Sequence, residues 1–169
     1  GIIGGSGMED PAFINDYSSK TVSTPYGDPS SELIIGKIAD VPVAILSRHG
    51  PGHKINPTNV NYRANVWSLK EEGCTHILAV TACGSLRERI EPGHFVFPDQ
   101  FIDRTTKRIN TYFDGSDVQH VSMGAPFSAG LRHCLVQVCD GLGFLYHNGG
   151  TLVTIEGPRF STKAESMLF

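Results

Sequence analysis

The 169-residue chain sets 14 Lys and Arg against 17 Asp and Glu, a net charge of -3, with 40% apolar and 18% charged residues. That balance fits one soluble globular domain and offers no basic field for nucleic acid or an anionic membrane surface. No apolar run reaches the ~18 residues of a membrane-spanning helix, and the sequence reads as having no secretory leader.

In chain order, a stub of apolar strand, Gly1 to Gly4, leads into the glycine-rich turn Gly4-Gly5-Ser6-Gly7. A mostly polar stretch follows to about Glu32, with a turn expected at Tyr26-Gly27-Asp28-Pro29. Leu33 to Ile38 and Val41 to Leu46 read as a hairpin about Ala39-Asp40, and Pro42 suggests that the second strand begins at an edge. Arg48-His49-Gly50-Pro51-Gly52-His53 is a loop. Val60, Ala64 and Trp67, with Tyr62, Val66 and Leu69 beside them, predict a helix closed by Gly73.

His76 to Ala82 reads as the cleanest buried strand and delivers Thr81-Ala82-Cys83-Gly84-Ser85 at its carboxyl end. His94 to Phe97 and Phe101-Ile102 are further strand. Leu131, Cys134, Leu135, Val138 and Leu142 mark an amphipathic helix ending at Gly143. Thr151 to Ile155 is a β-branched strand running into Glu156-Gly157-Pro158-Arg159-Phe160-Ser161, and Thr162 with Glu165 has the spacing of a capping box. The expected architecture is α/β: a mixed, largely parallel sheet flanked by helices, with ligands at the strand carboxyl ends.

The ends read as cut, because the chain lacks an initiator Met and stops on Met167-Leu168-Phe169 inside an expected helix. Cys74, Cys83, Cys134 and Cys139 form no CxxC pair and lie in or beside apolar segments, which predicts buried free thiols in a reducing, cytosolic compartment.

Four polar loops directly follow apolar strands: Gly4 to Gly7, Arg48 to His53, Thr81 to Ser85 and Glu156 to Ser161. Glycines let backbone N–H groups approach an anion, and Ser6 adds a hydroxyl. The same four residues could equally be a tight strand exit. They match neither a dinucleotide fingerprint nor a P-loop. Arg48 supplies a planar fork suited to phosphate, and His49 can donate further N–H groups. His53 lies four residues on, but the Gly and Pro between argue against a helical metal pair. Thr81-Ala82-Cys83-Gly84 brings small residues and a hydroxyl to a strand end, which leaves room for a flat ligand and fits a core strand terminus equally well. Cys83 has no sequence-local base that would make it a nucleophile. Phe160 could offer an aromatic face or simply belong to the core.

Taken in order, Gly-Gly-Ser-Gly, Ser-Arg-His-Gly, Pro-x-x-Val-Asn-Tyr-Arg-Ala-Asn, Thr-Ala-Cys-Gly-Ser-Leu-Arg, Asp-Gln-Phe-Ile-Asp-Arg-Thr and Glu-Gly-Pro-Arg-Phe-Ser closely resemble the methylthioadenosine branch of the trimeric purine nucleoside phosphorylase family. The resemblance runs over essentially the whole chain. It implies one nucleoside phosphorylase domain over 1–169, in its N-terminal and central part, acting in purine and methionine salvage. The implied reaction is attack of phosphate on 5′-methylthioadenosine, releasing adenine and 5-methylthioribose 1-phosphate.

On that resemblance Ser6, Arg48, His49, Thr81 and Ala82 would bind phosphate. Ala82, Cys83, Gly84, Phe160 and Ser161 would contact the nucleoside, and His120 would reach the alkylthio pocket of a neighbouring subunit. A homotrimer in the cytoplasm, with the nucleus as a further compartment, is implied. No metal or organic cofactor is needed, inorganic phosphate being a co-substrate.

Ser6 departs from the Thr more usual in the family but keeps the hydroxyl. No catalytic residue is assigned: the Asp that protonates the purine would lie beyond Phe169, so residues 1–169 alone would be inactive. Action on inosine, guanosine or methylthioinosine, hydrolysis by water, and a non-catalytic nucleoside-binding module remain open as alternatives.

Overall fold

A five-stranded mixed sheet carries the first three polar loops. In the computed structural model, which describes residues 1–5 and 14–169, its strands are β1 (Ile2–Gly4), β2 (Asn15–Lys20), β3 (Leu33–Ile38), β4 (Val41–Ser47) and β5 (Leu78–Ala79), in the order β2-β3-β4-β1-β5. β3 runs antiparallel to both its neighbours, β2 and β4, while β1 lies parallel between β4 and β5. This sheet belongs to a unit made of Gly1–Ala82 and Arg108–Asp114.

The β3–β4 hairpin turns on Ala39 and Asp40, at φ of 45° and 67°. Two successive left-handed residues give the twist that a two-residue hairpin needs. Pro42 pairs with Lys37 of β3, and β1 joins β4 only from Ile45 onward. The strand is therefore internal to the sheet but begins beside one neighbour, which is why a residue without an N–H is tolerated there.

Ala44, Ile45 and Leu46 are consecutively buried, so both faces of β4 are covered. One side packs into a cluster of Leu33, Ala44, Leu46 and Leu69, with Ile3, Ile35 and Ile77 around it. Burying each leucine is worth roughly 2 kcal/mol.

α1 (Tyr62–Glu71) supplies Leu69 to that cluster. Asn61 caps it, its Oδ1 accepting from the Ala64 amide at 3.1 Å. The Asn61 Nδ2 also donates to the Tyr26 and Asp28 carbonyls at 2.7 and 3.2 Å. Of the two stripes the sequence suggests, Val60, Ala64 and Leu69 are buried, but the buried face of the helix also takes in Asn65 and Ser68. Val66 is exposed, and Trp67 instead packs edge-on against Tyr26, 5.4 Å away. Asn65 can be buried because it is satisfied: Oδ1 accepts from the Ser30 amide at 2.8 Å, and Nδ2 donates to the Ser30 hydroxyl at 2.9 Å.

Other expectations are corrected. The stretch before Glu32 contains β2, whose polar, exposed residues suit a sheet edge and hide it from hydrophobic periodicity. The turn expected at Tyr26–Pro29 lies at Thr24–Gly27, closed by a 3.2 Å Gly27 N–H bond to the Thr24 carbonyl. β5 is only two residues long, and Ala79 and Val80 are exposed, since among the described residues a strand lies on one side only. Of the cysteines only Cys139 is buried. Cys74 is half-buried and Cys83 and Cys134 are exposed, with no disulfide among the four.

The second unit comprises Cys83–Lys107 and Gly115–Phe169. It holds β6 (Phe95–Phe97), β7 (Gln100–Arg104), α2 (Ala129–Leu142), β8 (Tyr146–Asn148), β9 (Thr151–Ile155) and α3 (Lys163–Leu168). β6 pairs with β8 and β7 with β9, both in parallel. The short strand β8 escapes sequence reading, being three residues, Tyr-His-Asn. Ser128 caps α2 and Gly143 closes it in the left-handed conformation. Parallel pairings therefore outnumber antiparallel ones, as expected of a mixed, largely parallel α/β fold. No described helix is long and apolar enough to cross a membrane.

Candidate functional site

Parallel pairing aligns Gly4 with Ser47 and Ile3 with Ala79, so β1, β4 and β5 deliver their exits side by side. The Arg48 amide donates to the Gly4 carbonyl at 3.0 Å, and the Val80 amide to the Ile3 carbonyl at 2.9 Å, carrying the register into the loops. One residue further back, the Ser47 amide donates to the Ser31 hydroxyl at 3.1 Å, fixing the strand end.

Arg48 lies across this rim. Its Nη2 donates to the Thr81 hydroxyl at 3.2 Å and its Nη1 reaches the Val80 carbonyl at 3.5 Å. The guanidinium passes directly over Gly5, where an added Cβ would sit 3.0 Å from Nη2 and 3.4 Å from the Val80 oxygen. A side chain at Gly5 would press on the guanidinium, which would have to give by a few tenths of an ångström, so glycine suits this close approach.

His49, buried at 8% exposure, holds the other edge of the guanidinium. Its Nδ1 lies 2.8 Å from the Ile55 carbonyl, an acceptor only, so Nδ1 carries the proton of the neutral ring. Nε2 then accepts from Arg48 Nε at 3.3 Å. With both nitrogens engaged, the neutral His49 side chain has no N–H left for an anion. Here its geometry orients Arg48.

The loop that carries the pair folds tightly: the Gly50 amide donates to the Ser47 carbonyl at 3.1 Å and the Ile55 amide to the His49 carbonyl at 2.9 Å. Gly50 has φ of 71°, and a Cβ there would meet the Ser30 oxygen at 3.0 Å. The His53 ring centroid stands 4.3 Å from that of His49. Among the described residues, no group of three or more His, Cys, Asp or Glu is arranged to hold a metal ion.

Every described partner of Arg48 is neutral: an imidazole, a carbonyl and a hydroxyl. A fixed, half-buried cation with no carboxylate against it among the described residues is suited to an incoming anion, and its fork matches phosphate oxygens. Ser6, expected to add a hydroxyl, lies outside the described residues. Ala82 is exposed at the end of this unit.

In the second unit, Cys83 and Gly84 are exposed and a Cβ on Gly84 would meet nothing within 4 Å. His120 is exposed in a stretch without helix or strand. Phe160 is 90% exposed, so it is no core residue of the described chain. The Ser161 and Ser166 hydroxyls are 2.7 Å apart. The loop bearing these residues is anchored at its start by Glu156, whose Oε2 accepts from the Thr106 and Lys107 amides at 2.6 and 2.9 Å. At its end, Arg159 grips both oxygens of Glu165 at 2.8 Å. A cleft of about 250 Å³ lies beside this ion pair, lined in part by Arg104, Thr106, Glu156, Arg159 and Glu165.

Sequence reasoning missed the residues that support the Arg48 loop and the Phe160 loop. Ser30, Ser31 and Asn65 show no periodic signal, and the Arg159–Glu165 fork is hidden behind the capping box that uses the same glutamate.

The family model described as the phosphorylase superfamily matches residues 1–169. The chain is 56% identical to S-methyl-5′-thioadenosine phosphorylase of Danio rerio and 55% identical to that of Xenopus tropicalis, in each case over 100% of this chain and 62% of the relative. It thus spans about three-fifths of the length of these relatives. Among solved structures, methylthioadenosine phosphorylase from Schistosoma mansoni in apo form superposes with a TM-score of 0.93 at 43% identity, covering 99% of this chain and 67% of that one. The same enzyme in complex with adenine gives 0.93 at 44%, covering 99% and 68%. A match along the entire chain, with the fold reproduced at this identity, places it: the chain belongs to the phosphorylase superfamily.

Proposed function

We propose that residues 1–169 supply the phosphate-binding rim and a base-facing loop of an enzyme that cleaves 5′-methylthioadenosine with inorganic phosphate. A phosphate oxygen bonds to the anomeric carbon as that carbon's bond to purine N9 breaks. The electron pair of the broken bond leaves with the base, which takes up a proton. Adenine and 5-methylthioribose 1-phosphate result.

The observation that carries this reading is Arg48, fixed by Thr81 and His49 over Gly5 with no described carboxylate against it. Its charge is laid down before phosphate arrives, so little reorganisation is needed at reaction. Ser6, Thr81 and Ala82 complete the phosphate set in this proposal, with His49 holding the arginine. Phe160, Ser161, Cys83 and Gly84 face the nucleoside, and the exposure of the Phe160 ring leaves it available for stacking. The names of the relatives support methylthioadenosine as substrate.

We further infer one phosphorylase domain, no metal or organic cofactor, a cytoplasmic location and a homotrimer in which exposed His120 serves a neighbour's alkylthio pocket. Sedimentation of the full-length protein tests the trimer. The activity is tested by following base release from methylthioadenosine and methylthioinosine with and without phosphate. Phosphate-dependent release of adenine is expected. Preference for hypoxanthine would move the protein to another branch, and binding without cleavage would make it a non-catalytic module.

A further inference from the structure

Glu165 occupies an unusual junction. It is the third residue of α3, where a glutamate closes a capping box: its Oε2 accepts from the Thr162 amide at 2.7 Å, while the Thr162 hydroxyl accepts from the Glu165 amide at 3.2 Å. The same carboxylate takes both arms of the Arg159 fork. Arg159 Nη1 also donates to the Phe160 carbonyl at 2.9 Å. Phe160, Ser161 and Thr162 are thereby bracketed: the charged pair holds the carbonyl of the first through Arg159 and the amide of the last through Glu165.

An exposed loop bearing an aromatic ring would ordinarily sample many conformations. Here the Phe160 carbonyl is held by Arg159 and the Thr162 amide by Glu165, the two members of one ion pair. An exposed ion pair adds little to global stability. A bidentate fork with a shared cap does constrain local geometry, and an ordered aromatic binds with less entropy lost.

We propose that Glu165, acting through Arg159, is a positioning residue that presents the Phe160 ring to the nucleobase, which extends the phosphorolysis reading and rests on it. The carboxylate touches no reacting atom. Its effect falls on nucleoside affinity, with the phosphate rim and the chemical step left alone.

The test is a double-mutant cycle in the full-length protein with Glu165→Gln, Arg159→Met, Thr162→Ala and Phe160→Ala. Glu165→Gln and Arg159→Met should each raise the KM for methylthioadenosine about tenfold, with phosphate KM and kcat within about twofold. On the Phe160→Ala background the same changes should add no further loss. Thr162→Ala, which weakens the helix cap but leaves the fork, should cost less than either. Faster amide exchange at residues 160–162 should accompany the first two.

Equal, additive losses with and without Phe160, or an unchanged nucleoside KM, would overturn the proposal. Should the unaltered protein bind methylthioadenosine without cleaving it, phosphorolysis fails, and the same cycle read in Kd still decides the role of Glu165. No nucleoside binding at all would overturn both.

Discussion

The Nη2 of Arg48 and the hydroxyl of Thr81 meet at 3.2 Å although 33 residues separate them. β4 and β5 both run parallel to β1, so their exits fall at the same end of the sheet. The contact converts two unrelated loops into one rim and points a cation along it. Arg48 should therefore be intolerant of its nearest substitute. Lys keeps the charge but not the fork that reaches His49, Val80 and Thr81 at once. Arg48→Lys should raise the phosphate KM by about tenfold or more, close to the worth of one charge-assisted hydrogen bond, and Arg48→Met further still. Initial rates against phosphate concentration measure both.

His49 acts on the same cation from the side. His49→Phe keeps an aromatic ring but removes both the acceptor at Nε2 and the donor at Nδ1. Phosphate KM should rise several-fold. The Arg48→Met, His49→Phe double variant should be no worse than Arg48→Met alone, because the histidine works through the arginine. Independent, additive losses would show that His49 meets phosphate directly.

Arg159 first, and the Thr162 amide next, hold the Glu165 carboxyl down from an ordinary 4.5 to about 2. The folded state therefore binds that proton less readily than the unfolded chain. The stabilisation is complete above pH 4.5 and is lost as pH falls toward about 2. Because the pair is exposed, that effect on global stability is small, and an NMR titration is the sharper test: the Glu165 carboxyl should titrate near 2 in the parent and move back toward 4.5 in Arg159→Met, while an unchanged midpoint would refute the assignment.

The hairpin offers a gain. Ala39 sits at φ of 45°, a conformation that a Cβ disfavours. Ala39→Gly should stabilise the protein by about 0.5–1 kcal/mol, since glycine occupies this region without penalty. Chemical denaturation gives the answer, and an equal or lower midpoint would contradict it.

Most of the rim around Arg48 is legible in the sequence because each part follows an apolar strand and uses residues with distinctive chemistry. Gly5, Arg48 and Thr81 announce themselves by type, and parallel strands are the simplest way to bring their loops together. What is not legible depends on satisfaction rather than periodicity. Asn65 and Ser68 look like the solvent face of α1 until Ser30 and a helix carbonyl supply their partners. β2 has the composition of a loop because it is an exposed edge. The orientation of His49 depends on the Ile55 carbonyl, six residues on across a glycine turn, and no sequence pattern records it.

The central claim is that Arg48 and its rim hold the phosphate that attacks the anomeric carbon. The most direct measurement is to run the full-length protein on methylthioadenosine with phosphate in ¹⁸O-enriched water and weigh the sugar product. The account predicts a sugar phosphate whose anomeric oxygen carries no label, because that oxygen comes from phosphate. A free sugar with labelled anomeric oxygen would show that water attacks, and would contradict the assignment of the rim.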